Sequence, residues 1–168
     1  MNTKRITKIA LMIALTIAGA YITIPLPELP FTLQTLFALL SGLLLSRRDA
    51  LISQLIYITL GLIGLPVFAA GGGGLAYVLR PSFGYILCLP PLAYFSSLLK
   101  DKNIYLAVYM PLILLLFIGG IWLILVGKLY LDKGIGMLFV SIILIYIPIE
   151  IVKGTIGIFI WKRLKNIL

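Results

Sequence analysis

Long apolar runs, separated by short charged or proline- and glycine-rich clusters, constrain this chain more than any other feature. Hydrophobic residues make up 62% of the 168 positions and charged residues only 11%, whereas soluble domains are about 45–50% apolar and about 25% charged. So few charges cannot cover the surface of a water-soluble fold. Since a helix needs about 20 apolar residues to cross a bilayer, the sequence predicts an all-α integral membrane protein with one domain, residues 1–168.

The apolar runs predict six transmembrane helices. The first run follows a basic cluster, as in a signal peptide, but no convincing small-residue cleavage site follows it, so we interpret it as a retained helix. In the last run a proline favours a helix start, which leaves Ile135 to Ile147 as an interfacial or re-entrant segment; one kinked helix is the alternative. The predicted spans are Ile6–Ile24, Phe31–Leu45, Ala50–Leu65, Pro81–Leu99, Ile104–Val126 and Pro148 to Lys162–Lys165.

The distribution of basic residues predicts the orientation. Alternate connections, together with both ends of the chain, carry ten Lys and Arg residues, and the other connections carry three. Because cytoplasmic loops are enriched in Lys and Arg, both termini are expected to face the cytoplasm. The same rule explains the net charge of +9 without a nucleic-acid partner. The expected location is the cytoplasmic membrane of a bacterium or archaeon.

Two irregular segments predict a cavity on the outward side. The second and third spans are short, and they adjoin the proline-rich stretch Pro25–Pro30 and the glycine run Gly71–Gly74. Irregular backbone at membrane depth is tolerated where protein buries it or where it lines a cavity. We therefore expect an outward-facing ligand pocket that uses both segments.

Glu150 and Lys153 are the strongest candidates for a binding site, because an ionisable group inside a membrane costs roughly 2.5–3.5 kcal/mol and normally faces a cavity or a partner. Their i, i+3 spacing places them on one helix face. They either offer an acceptor and a donor to a polar ligand or form a self-satisfied ion pair.

Two further polar residues are weaker candidates. Arg80 is the charged residue of the long connection with the glycine run, where it either binds a carboxylate or phosphate or anchors the chain at the interface. Gln34 lies near the start of a short helix, where it either contacts a ligand or forms an interhelical hydrogen bond.

Ala10, Ala14 and Ala18 form a stripe of small residues on the first helix. Such stripes allow close helix approach. The spacing alone does not separate packing within this chain from docking onto another subunit.

Three stretches resemble the BioY-type, biotin-specific capture subunits of energy-coupling-factor transporters. The resemblance covers nearly the whole chain, and the middle stretch is the most specific. The stretches are Phe31–Leu36 leading into Gly42–Leu45, then Tyr57 through Ala69 with the glycine run and Pro81–Tyr85, and finally Pro148–Lys153.

The resemblance implies a six-helix fold that binds biotin near the outer surface, under the first and third outward loops. Glu150 and Lys153 match the family's Pro-x-Asp-x-x-Lys pattern, with Glu150 in place of the usual aspartate, and would hold polar atoms of biotin. Arg80 and Tyr85 are further candidates for substrate contact.

The resemblance also implies partners. The alanine stripe would dock onto a transmembrane coupling subunit that carries two ATPases. Because the chain has no Walker motif of its own, the energy for uptake would come from these partners. With no histidine and one cysteine, the sequence predicts no enzyme, metal site or cofactor. The remaining alternatives are capture of another vitamin, such as riboflavin or thiamine, and a structural assembly subunit.

Overall fold

The protein is a bundle of apolar helices, seen here in a computed structural model that describes residues 3–26, 30–130 and 145–165. Residues 131–144, and with them most of the predicted interfacial segment Ile135 to Ile147, lie outside these ranges. The helices are α1 (Thr3–Tyr21), α2 (Gln34–Leu44), α3 (Arg47–Leu62), α4 (Phe83–Leu87), α5 (Leu89–Leu99), α6 (Ile104–Tyr130) and α7 (Ile147–Leu164).

The helices coincide with the apolar runs. Helix α5 lies at the centre of the bundle, packed against α2, α3 and α6, while α1 packs on α2 and α3, and α7 packs on α2 and α6. Among the described helices, α6 alone is long and apolar enough to cross a membrane by itself, over Ile104–Val126 with a mean hydropathy of 2.5.

The connection between α1 and α2 differs from the prediction. Instead of belonging to the two helices, Thr23–Ile24 (β1) and Phe31–Thr32 (β2) form an antiparallel hairpin in which Thr23 pairs with Thr32 and Ile24 with Phe31. β-branched and aromatic residues favour extended backbone, and the prolines between the strands oppose helix. Helix α1 therefore ends three residues earlier than expected, and α2 begins three residues later.

The predicted span Pro81–Leu99 is also corrected, since it consists of two helices. Helix α4 ends at Leu87, and α5 begins at Leu89 with proline in its first turn. Because a proline has no N–H to donate to the preceding turn and clashes with it, the first turn of a helix is the place where it fits. Cys88 is the junction.

Local signals explain the ends of α3. Ser46 caps its start by accepting a hydrogen bond from the Asp49 N–H at 3.3 Å, which places the start at Arg47 instead of the predicted Ala50. At the other end Gly64 has φ +106°, and Leu65 N–H donates to the Leu60 carbonyl. This is a Schellman turn, and it ends the helix at Leu62.

The connection between α3 and α4 folds back into the bundle. Its Phe68 is fully buried and lies against Gly61, where a β-carbon would overlap the Phe68 ring. The Phe68 ring packs against those of Tyr57 and Tyr77, with centroids 5.6 and 4.8 Å away. This long connection is therefore a packed wall of the bundle.

Several basic connections meet at the opposite end of the bundle. Arg5 at the start of α1 pairs with Asp49 of α3 at 2.5 Å. Lys100 after α5 donates to the carbonyls of Gly42, Leu43 and Leu45 at the end of α2, at 3.3, 3.1 and 2.6 Å. These carbonyls have no partner within the helix, so the lysine ties α5 to α2.

Candidate functional site

A cavity opens at the end of the bundle that carries the β-hairpin. The volume inside the cavity that the centre of a water molecule can occupy is about 60 Å³. One ordered water needs roughly 10–15 Å³ of such volume, so the cavity holds a few waters. A vitamin-sized ligand requires its walls to move apart. The lining residues are Pro30, Phe31, Thr32, Gln34, Thr35, Ala69, Tyr77, Ser82, Tyr85, Ile86, Leu89, Leu116, Tyr146, Glu150 and Lys153.

Of the two predicted irregular segments, the proline-rich stretch borders this cavity among the described residues, and the glycine run does not. Pro30, the last residue of the proline-rich stretch, lines the cavity. The four glycines Gly71–Gly74 do not line the cavity, whereas Ala69 and Tyr77 on either side of them do. The glycine run is therefore a connector that places two lining residues.

Glu150 and Lys153 form an ion pair in the cavity wall. Lys153 Nζ lies 2.6 Å from Glu150 Oε1, and the two residues are only 5–6% exposed. Helix α7 begins at Ile147, one residue before Pro148, so Glu150 lies in its first turn, where the positive end of the helix dipole favours its charge. The predicted pair exists, and it is buried.

Thr35 of α2 completes this group. Its hydroxyl accepts a hydrogen bond from Lys153 Nζ at 2.8 Å and donates to Glu150 Oε1 at 3.2 Å. The ammonium group also lies over the Phe31 ring, 4.7 Å from its centroid, a distance typical of a cation–π contact. Lys153 is thereby held by three groups of the protein.

Two polar atoms at the cavity lack partners. Glu150 Oε2 and the Tyr85 hydroxyl are both buried, and neither has a hydrogen-bond partner among the described residues. A buried polar atom without a partner costs about 1–3 kcal/mol, and more if it is charged. Because both residues line the cavity, these atoms are an acceptor and a hydroxyl available to a ligand.

Gln34 lines the cavity, but its polar atoms are already engaged within the protein. Its Oε1 accepts from the Thr32 hydroxyl at 2.9 Å, and its Nε2 donates to the Tyr57 hydroxyl. Gln34 therefore makes an interhelical hydrogen bond to Tyr57, and its contact with a ligand stays a prediction.

Arg80 is not among the lining residues. Its side chain is exposed, and its guanidinium lies 4.9 Å from the centroid of the Tyr77 ring. Since Tyr77 lines the cavity, Arg80 lies behind this wall, one side chain away from the ligand space.

Ala10, Ala14 and Ala18 are all exposed on α1, and none of them lines the cavity. The residues of α1 that pack into the bundle, Ile9, Met12, Thr16, Gly19 and Ala20, lie on its other face. Packing within the described chain therefore does not account for the stripe.

Sequence reasoning missed most of the lining residues, among them Thr35, Tyr77 and Phe31. A hydroxyl inside an apolar helix is a weak signal, because such a group commonly bonds to its own helix backbone. Only the tertiary contact between α2 and α7 shows that Thr35 bridges the ion pair.

Apolar helices around a small cavity with a buried ion pair and unpartnered polar atoms define a membrane-embedded protein that captures a small polar molecule. Comparison with known proteins narrows this class. The sequence profile of the BioY family matches residues 1–168, so this chain belongs to the BioY family, whose members are membrane transport proteins of the prokaryotic cell.

Individual relatives agree with this assignment. A probable biotin transporter BioY of Pyrococcus horikoshii is 36% identical over 166 residues, which is 99% of each chain. The biotin transporter BioY of Thermotoga maritima is 36% identical over 60% of this chain and 59% of its own. The crystal structure of the S-component for biotin from an ECF-type ABC transporter matches with a TM-score of 0.84 and 27% identity, over 99% of this chain and 95% of that one.

Proposed function

We propose that this chain captures biotin from outside the cell as the substrate-binding component of an energy-coupling-factor importer, without converting it chemically. The observation that carries the proposal is the pair of unpartnered atoms, Glu150 Oε2 and the Tyr85 hydroxyl, in a cavity of a BioY-family chain. The ureido ring of biotin offers N–H donors and a carbonyl acceptor, which complement a carboxylate oxygen and a hydroxyl.

In this proposal a ureido N–H donates to Glu150 Oε2, and the Tyr85 hydroxyl donates to the ureido oxygen. Hydrogen bonds to an ionised acceptor are about twice as strong as neutral ones. Lys153 and Thr35 hold the carboxylate in position from behind. Arg80 then reaches the ligand carboxylate only if the Tyr77 side chain shifts. Such a shift would also widen the cavity.

Equilibrium binding to the detergent-purified chain tests the proposal. We expect tight, saturable binding of labelled biotin that unlabelled biotin displaces and that riboflavin and thiamine do not. A well-folded chain that binds riboflavin or thiamine instead would identify a different vitamin, and one that binds none of the three would refute vitamin capture.

We further propose that the whole chain is one domain with six spans and both termini in the cytoplasm. Support comes from the meeting of Arg5, Asp49 and Lys100 at one end of the bundle, with the cavity at the other. Single cysteines introduced at Lys102 and at Leu79 distinguish the sides, since native Cys88 is buried. A membrane-impermeant thiol reagent added to intact cells should label the Leu79→Cys variant and not the Lys102→Cys variant. Labelling of Lys102→Cys instead would show that the protein has the opposite orientation.

We also propose that the α1 stripe docks onto a coupling subunit bound to two ATPases. The exposure of Ala10, Ala14 and Ala18 supports this role, because small residues permit close packing of a partner helix. Energy for uptake then comes from the partners.

A further inference from the structure

A chain of hydrogen bonds runs behind the cavity wall and connects its two bordering loops. The Thr32 hydroxyl in β2 donates to Gln34 Oε1 at 2.9 Å. Gln34 Nε2 donates to the Tyr57 hydroxyl, which donates to the Val67 carbonyl at 3.0 Å. We call this chain, Thr32–Gln34–Tyr57–Val67, the relay.

All bonds of the relay point in one direction. Each hydroxyl or amide accepts from the group before it and donates to the next, so the hydroxyls of Thr32 and Tyr57 are both used. Successive hydrogen bonds of this kind polarise and strengthen one another inside a low-dielectric protein. Its members are also deeply buried: Tyr57 is fully buried, Gln34 is 5% exposed and Thr32 is 9% exposed.

The two ends of the relay lie at or beside residues that line the cavity from two different loops. Thr32 and its neighbour Phe31 line the cavity from the hairpin, and Phe31 also covers the Lys153 ammonium. Val67 directly precedes Phe68 and Ala69, and Ala69 lines the cavity from the opposite loop. Tyr57 is therefore placed to transmit a displacement of one loop to the other.

A second tyrosine provides a contrast. The Tyr21 hydroxyl donates to the Pro66 carbonyl at 2.5 Å, one residue before the carbonyl that Tyr57 holds. Tyr21 fixes the loop to α1 but makes no bond to Thr32 or Gln34 that belongs to the relay. The two tyrosines thus hold the same segment. Tyr57 is linked to β2 through the side chain of Gln34, whereas Tyr21 lies two residues before β1 and is linked to the hairpin through the backbone.

We propose that Tyr57 is a positioning residue that couples the position of strand β2 to the position of the Val67–Ala69 segment at the cavity. The effect of this coupling on the release of bound biotin rests on the proposed function. The coupling between the loops is a property of the ligand-free protein.

Hydrogen exchange of the ligand-free, purified chain tests the coupling directly. The reporter is the Phe68 N–H, which donates to the Gly72 carbonyl at 2.9 Å within the distant loop. Thr32→Val removes the first donor of the relay, and Tyr57→Phe removes its central hydroxyl. We expect both variants to accelerate exchange at Phe68 by about tenfold, which is the effect of losing one or two buried hydrogen bonds.

The double variant separates coupling from ordinary loosening. If the relay transmits the effect, Thr32→Val adds nothing at Phe68 once Tyr57→Phe is present, since coupled sites are non-additive. Tyr21→Phe should accelerate exchange at Phe68 to the same extent in the presence and absence of Thr32→Val. Tyr109→Phe, which removes a hydroxyl bonded to Thr155 between α6 and α7, should change nothing at Phe68.

Two results would overturn the proposal: no effect of Thr32→Val at Phe68, or effects of Thr32→Val and Tyr57→Phe that simply add. Thr32→Val keeps the test decisive if Tyr57→Phe fails to fold, because it replaces one hydroxyl by a methyl group and preserves the shape of the side chain. With biotin, we expect Tyr57→Phe to raise the dissociation rate about tenfold and to leave the association rate nearly unchanged. A wild-type chain that binds no biotin refutes the proposed function but leaves the exchange result standing.

Discussion

Lys153→Met is expected to abolish tight biotin binding and to destabilise the protein. The substitution leaves Glu150 buried without its cation, and breaking a buried ion pair in this way costs about 3–5 kcal/mol. Without Lys153, the carboxylate also loses the group that holds it in position to accept from a ureido N–H. We expect biotin affinity to fall by at least about a hundredfold in equilibrium binding, with a lower midpoint of thermal unfolding.

A compensating variant distinguishes the two effects of this substitution. Glu150→Leu combined with Lys153→Met removes both charges, and replacing a buried pair by apolar residues is often neutral for stability. The double variant should therefore regain thermal stability but not biotin binding. Lys102→Met, the same change at an exposed position, is the control. Retained biotin affinity in the double variant would exclude the ion pair from the binding site.

Ala14→Trp is expected to abolish biotin uptake by cells while leaving biotin binding by the purified chain unchanged. Ala14 is the middle residue of the exposed stripe on α1, so an indole there holds a partner helix away. The change lies outside the cavity and adds no clash within the described chain. The measurements are uptake of labelled biotin and co-purification with the coupling subunit, both of which should fall at least about tenfold.

The control for docking is Leu125→Trp on α6, where the native side chain is 65% exposed. It places the same indole on a different exposed face and should leave both uptake and co-purification intact. Normal co-purification of the Ala14→Trp variant with its partners would refute docking through the stripe.

The contrast between these two predictions follows from burial. Glu150 and Lys153 are held inside the bundle by α2, where a change alters ligand binding and stability together. The alanine stripe contributes nothing to the described core, so its substitution separates assembly from capture. Measurements of stability alone would therefore not detect the proposed role of the stripe in docking.

The helical class, most of the segments that form helices and the placement of Glu150 and Lys153 on one helix face could be predicted from the sequence. These features depend on local pattern: apolar runs, prolines at helix starts and an i, i+3 spacing, each of which acts within a few residues. For the same reason Pro148 predicted the start of α7, which begins at Ile147.

The contacts of each polar residue, in contrast, depend on how the helices pack. Gln34 and Thr35 are neighbours on one short helix, yet Gln34 bonds to Tyr57 while Thr35 bonds to the ion pair. The packing of α3 and α7 against different faces of α2 makes this distinction, and nothing local in the sequence encodes it. The hairpin and the exposure of the alanine stripe likewise depend on which segments meet in space, because the same residues were compatible with more than one set of neighbours.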